Sequence, residues 1–549
     1  MKRRIRNLII PAALLLLAAC SRPELNIEFE KYTLDNGLEV VLHEDRSDPI
    51  VSVAIMFHVG SNREERGRTG FAHLFEHILF QESENVGQDA FFQNIQRAGG
   101  TLNGFTWGDG TAYFEIVPRN ALEMVLWMES DRMGYLLSSV TQEAFENQQN
   151  VVQNEKRFRV DNVPYGHTEY VIKKALYPED HPYNWRVIGS FEDLKAASLE
   201  DVKNFFLQWY GPNNATLVVA GDYDVVQTKA WIQKYFGDLR SSGTVVDPVP
   251  QPVTFTETKR LFHEDNFAQS PELNMVFPTA EEYTPDHYAL EILDALLSEG
   301  KRAPLYKVLV EEQKLAPGAG AEQIGQELTS TFRFTVRAFP EADLSLVEAA
   351  IFEALERFEE ESFSDRDLDR IKTQIETGFY NSISSIFIKS LNLAQYNEYN
   401  GTPGFINQDL QNYLDVTRTD VMRVYEQYIK DKPYVLTSFV PKDRNDLVAE
   451  NSERAAVVEE SITGATAARE SATAPAEFEA PVNPSSFDRS ETPPFGPDPE
   501  LSLPEVWHAQ LGNGMPVIGI VHDELPLVQF SITFRGGQLL DSMDKVGVA

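Results

Sequence analysis

The sequence has little cysteine and comparatively few basic residues. Its single cysteine, Cys20, excludes an internal disulfide and a cysteine-rich metal cluster. Lysine and arginine number 48 against 84 aspartate and glutamate residues, so the formal net charge is −36. Because so acidic a surface repels phosphate backbones, we expect no nucleic-acid partner. After the first twenty residues, no apolar run is long enough to cross a bilayer core of about 30 Å.

What the sequence does contain is an ordinary globular composition over a long chain. The 549 residues are 42 % hydrophobic and 24 % charged, which is enough to bury several cores. At about 100–200 residues per domain, a chain of this length is expected to contain roughly three domains. Hydrophobic patterning predicts a mixture of strands and helices. Strands rich in valine and isoleucine are predicted at Leu38 to His43, Ile50 to His58 and Ala215 to Ala220. Helices are predicted at Leu122 to Met133, Thr141 to Val160, Tyr288 to Leu297 and Leu344 to Glu361.

The first twenty residues are typical of a secretory signal. A basic start precedes an apolar run from Leu8 to Ala19, which is too short to span a bilayer. The run ends in Leu17-Ala18-Ala19-Cys20, which resembles the lipobox of bacterial lipoproteins. The resemblance implies cleavage before Cys20 and lipidation of its thiol. Because Ser21 follows, it also implies the outer membrane, facing the periplasm. Acyl chains would hold the mature chain on the membrane without spanning it.

An opening motif recurs near the end of the sequence. The later segment Leu511-Gly512-Asn513-Gly514-Met515 is similar in sequence to Leu34-Asp35-Asn36-Gly37-Leu38. Further matches share the same offset of 477 residues. Residues 506–549 are therefore predicted to repeat residues 29–72 as the start of a third domain. We expect a truncated chain, with the missing C-terminal half of the same polypeptide as a partner. Residues 449–505, dense in Ala, Glu, Ser and Pro, are predicted to form a linker.

The segment from Gly70 to Phe80 contains the candidate metal-binding residues. In a helix, one apolar stripe would be formed by Phe71, Leu74, Phe75 and Ile78. His73, Glu76 and His77 would lie on the opposite face. Histidines at i and i+4 can share one cation, and neutral imidazole is a good zinc ligand. A carboxylate beside that cation can take a proton from a water molecule that zinc activates. The pattern therefore predicts a zinc site on this helix.

These residues resemble the inverzincins, the pitrilysin/insulysin (insulinase-like) zinc metallopeptidases, whose motif is His-x-x-Glu-His. The resemblance spans about Ile27 to Pro441 and includes Asn36-Gly37, Asn103 to Tyr113 and His181-Pro182-Tyr183. It implies an α+β fold of repeated mixed domains, each with helices packed on an antiparallel-rich sheet. There would be two domains per half, closing as a clamshell around a peptide. The implied order is a signal peptide (1–20), a catalytic domain (21–250), a non-catalytic companion domain (251–448), the linker and the third domain.

The resemblance also assigns roles to individual residues. It makes His73 and His77 zinc ligands, Glu76 the general base and Glu155 the third ligand of one zinc ion per chain. From the residues alone, Glu155 cannot be distinguished from Glu143 or Glu146 in the same predicted helix.

The resemblance further implies a substrate contact and one departure from the family pattern. Asn103 is carried over as a substrate contact on an edge strand beside the zinc. Many relatives have a glutamate seven residues before the third ligand. Here that position is Gln148, which cannot carry the charge. His58, outside the motif, is predicted to be structural.

Together these features predict a zinc endopeptidase that is lipid-anchored in the bacterial cell envelope. It would hydrolyse peptides or unfolded polypeptides, with Glu76 as the general base toward water activated by zinc. The alternative is a non-proteolytic peptide-binding or scaffolding lipoprotein of the same fold. Peptide hydrolysis that a chelator blocks would separate the two.

Overall fold

The computed structural model describes residues 26–457, 483–500, 504–521 and 525–540. The predicted signal peptide, with the predicted lipidation site Cys20, lies outside these residues. The central part of the predicted linker (458–482) and the last nine residues lie outside them as well. In the described ranges, no helix combines the length and the apolar character needed to cross a membrane.

The first domain is built on a six-stranded sheet. Its strands are β1 (Glu30–Thr33), β2 (Glu39–Glu44), β3 (Ile50–Phe57), β4 (Thr101–Thr106), β5 (Thr111–Pro118) and β6 (Ala215–Gly221). Their order across the sheet is β1-β2-β6-β3-β5-β4. Only β2 and β6 pair in parallel, so the sheet is rich in antiparallel pairs. The three predicted strands are confirmed as β2, β3 and β6. The order places β4 at one edge of the sheet.

The helices of the first domain follow the apolar periodicity of the sequence. They are α1 (Phe71–Leu79), α2 (Ala90–Arg97), α3 (Leu122–Tyr135), α4 (Gln142–Lys156), α5 (Thr168–Leu176), α6 (Phe191–Ala196), α7 (Leu199–Trp209) and α8 (Val225–Phe236). The predicted helices at Leu122 to Met133 and Thr141 to Val160 are confirmed as α3 and α4. Thr141 begins α4 as its N-cap, and its hydroxyl accepts a hydrogen bond from the Ala144 N–H at 3.1 Å. A π-helical turn over Arg157–Asp161 continues α4.

The second domain repeats the topology of the first. Its strands are β7 (Lys259–Asp265), β8 (Glu272–Thr279), β9 (Gly320–Ile324), β10 (Ser330–Arg337), β11 (Val435–Pro441) and β12 (Glu453–Arg454). The order β7-β11-β8-β10-β9 matches β2-β6-β3-β5-β4, and the parallel pair β7-β11 corresponds to the parallel pair β2-β6. The predicted fold class, repeated α+β domains with antiparallel-rich sheets, is therefore confirmed.

The helices of the second domain include the two predicted from the sequence. They are α9 (Pro285–Ser298), α10 (Leu344–Glu361), α11 (Asp365–Ile383), α12 (Ile386–Asn400), α13 (Ile406–Asp415) and α14 (Arg418–Val424). The prediction at Leu344 to Glu361 coincides with α10, and the prediction at Tyr288 to Leu297 lies within α9.

Each domain contributes a helix that packs on the sheet of the other domain. One face of the first sheet packs on its own helices α1, α3, α7 and α8. The other face, with Val41 and Val218, packs against Leu393 and Ala394 of α12 in the second domain. In return, Ile172 of α5 packs on the second sheet. A sheet that is covered on both faces needs continuous apolar strands, which is why all seven residues of β6 are buried.

Two described flanks of the predicted linker are packed on the domains. At one flank, β12 pairs in parallel with β7. At the other, the Arg489 side chain is buried between α3 and α8, 3.4 Å from an Asp131 carboxylate oxygen. The indole N–H of Trp127 donates to the Arg489 carbonyl at 3.1 Å. These flanks therefore belong to the folded domains.

The segment after the linker forms a hairpin that copies the first one. Strands β13 (Trp507–Gln510) and β14 (Pro516–Gly519) pair in the register of β1 and β2, shifted by the 477-residue offset. The turn glycines Gly37 and Gly514 have φ of +92° and +84°, a conformation that favours glycine. The sequence similarity between the two segments thus extends to their backbone pairing.

A buried histidine links the two domains. His58 follows β3, and its Nε2 lies 2.8 Å from Glu327 Oε1 of the second domain. Its Nδ1 lies 3.3 Å from Glu398 Oε1 of α12. Burial lowers the pKa of His58, but the hydrogen bonds to Glu327 and Glu398 outweigh burial and raise the pKa to about 9 from 6.5.

This histidine should make domain stability depend on pH. Because its folded-state pKa is the higher one, the protonated form stabilises the fold fully below pH 6.5, and that stabilisation is lost as pH rises through about 9. The loss corresponds to about 3 kcal/mol in the free energy of unfolding. We expect urea unfolding at pH 6 and pH 9.5 to show a larger drop for the parent than for His58→Gln. Equal drops in both proteins would contradict the assignment.

Candidate metal centre

Helix α1 has the two faces that its sequence predicts. Phe71, Leu74, Phe75 and Ile78 are all no more than 3 % exposed. His73, Glu76 and His77 are only partly buried and lie on the other side. The packed stripe fixes the helix against the sheet and α7. The three polar side chains are thereby presented together on a rigid support.

The start of α1 is held by a carboxylate from outside the helix. Gly70 precedes the helix with φ of +91°, and a Cβ there would approach the Ile188 carbonyl oxygen to 2.9 Å. The Glu64 carboxylate accepts hydrogen bonds from the backbone N–H of Gly70 and Ala72, both at 2.9 Å. Burial raises the pKa of Glu64 to about 8, although these N–H groups favour the charged form. Glu64 therefore fixes the first turn of the helix that carries the histidines.

The structure brings His73, His77 and Glu155 together. Glu155 Oε2 lies 3.6 Å from His73 Nε2 and 3.1 Å from His77 Nε2. The two imidazole rings are nearly perpendicular, with centroids 4.8 Å apart. One ligand atom from each residue lies within 4.8 Å of the other two, and no other such group of acidic, histidine or cysteine side chains occurs among the described residues.

This donor set fits a zinc ion. Zinc bonds to nitrogen and oxygen of about 2.0–2.1 Å place tetrahedral ligand atoms about 3.3 Å apart, close to the separations observed. Two imidazoles and one carboxylate leave a fourth position open, as catalytic zinc sites do. The residues present therefore match the chemistry of the metal predicted from the sequence.

The environment of the histidines favours their neutral forms. Burial lowers the pKa of His73 to about 4, and the neighbouring His77 acts in the same direction. Burial also lowers the pKa of His77. Neutral imidazole is the form that binds metal. Arg159 Nε lies 3.2 Å from Glu155 Oε1, so one carboxylate oxygen is engaged by a largely exposed arginine and the other faces the histidines.

Glu155, unlike Glu143 or Glu146, continues the buried stripe of α4. Phe145, Gln148 and Val152 form that stripe and are buried, and Glu155 follows at the same helical spacing. Gln148 and Ile78 of α1 line the same small gap between the two helices. The spacing from Phe145 through Val152 is a sequence signal that could have separated Glu155 from the two other glutamates.

Glu76 has a hydrogen-bond partner that the sequence did not reveal. The Thr106 hydroxyl, at the end of β4, donates to Glu76 Oε2 at 2.7 Å. Burial raises the pKa of Glu76, and the hydrogen bond from Thr106 opposes this shift. Thr106 therefore fixes one carboxylate oxygen and leaves the other free to act. The motif spacing gave no sign of it, because 30 residues separate the two side chains.

We expect Thr106→Val to slow any hydrolysis while leaving metal binding intact. Valine keeps the shape of threonine but cannot donate to Glu76, and loss of an orienting partner typically costs about 10–100-fold. Steady-state kinetics should show the loss in kcat rather than KM, and Thr106→Ser should recover most of it. A valine variant with parental kcat would contradict the role of this hydroxyl.

Asn103 lies on the exposed edge strand, close to α1. Its side-chain oxygen accepts a hydrogen bond from the following Gly104 N–H at 2.9 Å. A Cβ at Gly104 would approach the rings of Phe80 and Tyr113 to 3.0 Å, so glycine allows the strand to lie against the end of α1. Asn103 is thus placed at the edge but not among the metal-binding residues.

Two family descriptions match the chain. "Insulinase (Peptidase family M16)" matches residues 39–177, which contain the histidine motif and Glu155. "Peptidase M16 inactive domain" matches residues 196–375, most of which belong to the second domain. Together they match more than half of the chain. The second description agrees with the absence of a second His-x-x-Glu-His motif from the sequence.

Individual relatives agree with these matches. The zinc protease PqqE of Helicobacter pylori is 28 % identical over 407 residues, covering 73 % of this chain and 90 % of that protein. An insulin-degrading enzyme homolog of Dictyostelium discoideum is 26 % identical over 264 residues, covering 47 % of this chain and 27 % of that protein. The crystal structure of a protease from Helicobacter pylori matches with a TM-score of 0.70 and 26 % identity, covering 76 % of this chain and all of that chain.

Proposed function

The chain belongs to the insulinase family of peptidases (M16), and from this premise we propose that it is a zinc-dependent endopeptidase. The observation that carries the proposal is the convergence of His73, His77 and Glu155 around one point, with Glu76 on the same helix face. Relatives of the chain are named zinc proteases, which supports both the metal and the reaction class.

Each site residue then has a defined task. His73, His77 and Glu155 would hold one zinc ion. When bound, zinc supplies the Lewis acidity that activates water and polarises a peptide carbonyl. Glu76, whose pKa is raised by burial, takes the proton from the attacking water and passes it to the leaving amine. Thr106 keeps the Glu76 carboxylate oriented during both transfers.

The substrate we propose is an extended or unfolded polypeptide. Strand β4 is an edge strand with an alternating exposed face, and it ends at Thr106 beside Glu76. An extended peptide can add to such an edge through main-chain hydrogen bonds, which accept many sequences. Asn103 lies on this edge and would contact the peptide backbone.

We further propose that the protein acts in the bacterial cell envelope, held on the membrane through Cys20. The support for this is the lipobox-like Leu17-Ala18-Ala19-Cys20 after a short apolar run. Metabolic labelling of the full chain with a radioactive fatty acid should mark the parent and not Cys20→Ala. Equal labelling of both would contradict the anchor.

Zinc content tests the proposed function most directly. We expect about one zinc ion per chain by inductively coupled plasma mass spectrometry, and hydrolysis of an unfolded test protein that a chelator abolishes. His73→Ala should lose both, because two remaining ligands bind zinc weakly. His508→Ala, at an exposed histidine of β13, is the matched control and should lose neither.

Two outcomes would overturn the proposal. Full zinc occupancy in His73→Ala would refute the ligand set. A zinc-loaded parent that binds unfolded polypeptide but does not cleave it would favour the non-proteolytic alternative.

A further inference from the structure

A second feature of the molecule lies in the companion domain, in a cavity of about 670 Å³ that the peptidase chemistry does not use. It opens where α9 ends and where α10 turns into α11. Its floor is apolar and firmly packed: Phe358 and Phe363 stack with ring centroids 5.8 Å apart, and Leu296 lies beside them. A floor of buried rings gives the cavity a fixed shape.

The walls of this cavity are basic in a chain that is otherwise acidic. Six of its 17 lining residues are basic, against 48 of 549 in the whole chain. They are Lys301, Arg302, Lys307, Arg357, Arg366 and Arg370. The chain as a whole has a net charge of −36, which already favours solubility. The local excess of positive charge in the cavity therefore needs another explanation.

Part of this charge is balanced by neighbouring carboxylates, and part is not. Arg357 is held by Glu312 at 2.5 Å and Glu353 at 2.6 Å, so its charge is satisfied. The other five basic residues face three lining carboxylates, and one of these, Asp367, accepts hydrogen bonds from Ser364. Lys301, Arg302 and Arg366 are exposed, and among the described residues none of them has a carboxylate within 4.0 Å, although Arg302 lowers the pKa of Asp367 from a greater distance. With five basic residues against three carboxylates, the cavity keeps an excess of positive charge.

From this geometry we propose that the cavity binds a phosphate group, carried by a small molecule or a lipid headgroup. Arginine and lysine around a concave site match the oxygens of a phosphate, and guanidinium groups can bind it in bidentate fashion. The apolar floor suits a ligand with an apolar part beside the phosphate. A large acidic partner would be repelled by the negatively charged surface around the cavity. A small phosphate compound would contact only the basic walls, so this repulsion would affect it less.

Binding of inorganic pyrophosphate to the full chain tests the proposal by isothermal titration calorimetry at low salt. We expect saturable binding that weakens as salt is raised. The triple variant Lys301→Glu, Arg302→Glu and Arg366→Glu should weaken it at least about tenfold, since like charges then face the ligand. All three side chains are exposed, so the fold should persist. The matched control reverses three exposed charges elsewhere, at Lys195, Lys442 and Arg535, and should bind like the parent.

Vesicles distinguish the two sources of phosphate. Sedimentation with phosphatidylglycerol vesicles, against phosphatidylcholine vesicles, should separate the triple variant from its control if the source is a lipid headgroup. Both proteins carry the same N-terminus, so any anchor contributes equally. Pyrophosphate binding without this difference assigns a soluble phosphate compound.

No binding to either probe, or equal binding by the triple variant and the control, overturns the proposal. Peptide hydrolysis should be unchanged in both variants, which keeps this result separate from the proposed function.

Discussion

Glu76→Gln is expected to retain zinc and to lose nearly all hydrolysis. The amide keeps the size of the side chain and can still accept the hydrogen bond from Thr106, but it cannot take a proton from water. Removal of a general base costs about 10²–10⁴-fold in rate. Glu76 is not one of the three converging ligands, so zinc content should stay near one per chain. Single-turnover cleavage of an unfolded protein, with zinc measured on the same sample, checks both statements.

The control for this variant is Glu143→Gln. Glu143 is an exposed carboxylate in the first turn of α4, so its loss removes one negative charge from the same domain without touching the site. It should cleave at the parental rate. If Glu76→Gln cleaved as fast as Glu143→Gln, another group would have to serve as the base.

The helix with the histidine motif was predictable because its information is local. The apolar stripe and the polar face both follow from a period of 3.6 residues, and the structure confirms both. The N-cap at Thr141 is equally local, since a hydroxyl needs only the N–H three residues later. Strands β3 and β6 were visible as continuous apolar runs, although the sequence did not say what covers their second face.

The missed residues act through contacts distant in sequence. Glu64 caps α1 from a loop across the left-handed Gly70, where no usual N-cap residue stands. Thr106 reaches Glu76 only because β4 lies against α1. The cover of the first sheet by α12 arises more than 300 residues later in the chain than β2. No period or local spacing encodes such contacts, because they depend on how complete domains pack.

Beneath the site lies a second arrangement that the sequence did not predict, a buried cluster of charges. Arg132 of α3 is 2 % exposed, and its Nε donates to Glu129 Oε2 at 2.8 Å. Its guanidinium lies 4.2 Å from the ring centroid of Tyr113 and 5.4 Å from that of Phe80. Burial and the nearby Glu129 raise the pKa of Glu115 well above its usual range, which favours the uncharged form of this carboxyl group. Within the cluster, Arg132 and Glu129 form a close ion pair one helical turn apart on α3.

Arg132→Ala is therefore expected to be the most destabilising single change in the first domain. It leaves the Glu129 carboxylate, 1 % exposed, without a cation, and breaking a buried pair in this way costs about 3–5 kcal/mol. The rings of Phe80 and Tyr113, which support α1 and β4, would lose their contact as well, so zinc binding should fail at a lower urea concentration. Urea titration followed by zinc release measures this.

The double variant Glu129→Leu with Arg132→Met removes both charges and should recover most of the loss, because apolar side chains of similar size often replace a buried pair without cost. Arg97→Ala, at an exposed arginine of α2, should not shift the urea midpoint. If Arg132→Ala unfolded at the same urea concentration as Arg97→Ala, the buried pair could not be what stabilises the support beneath the metal-binding residues.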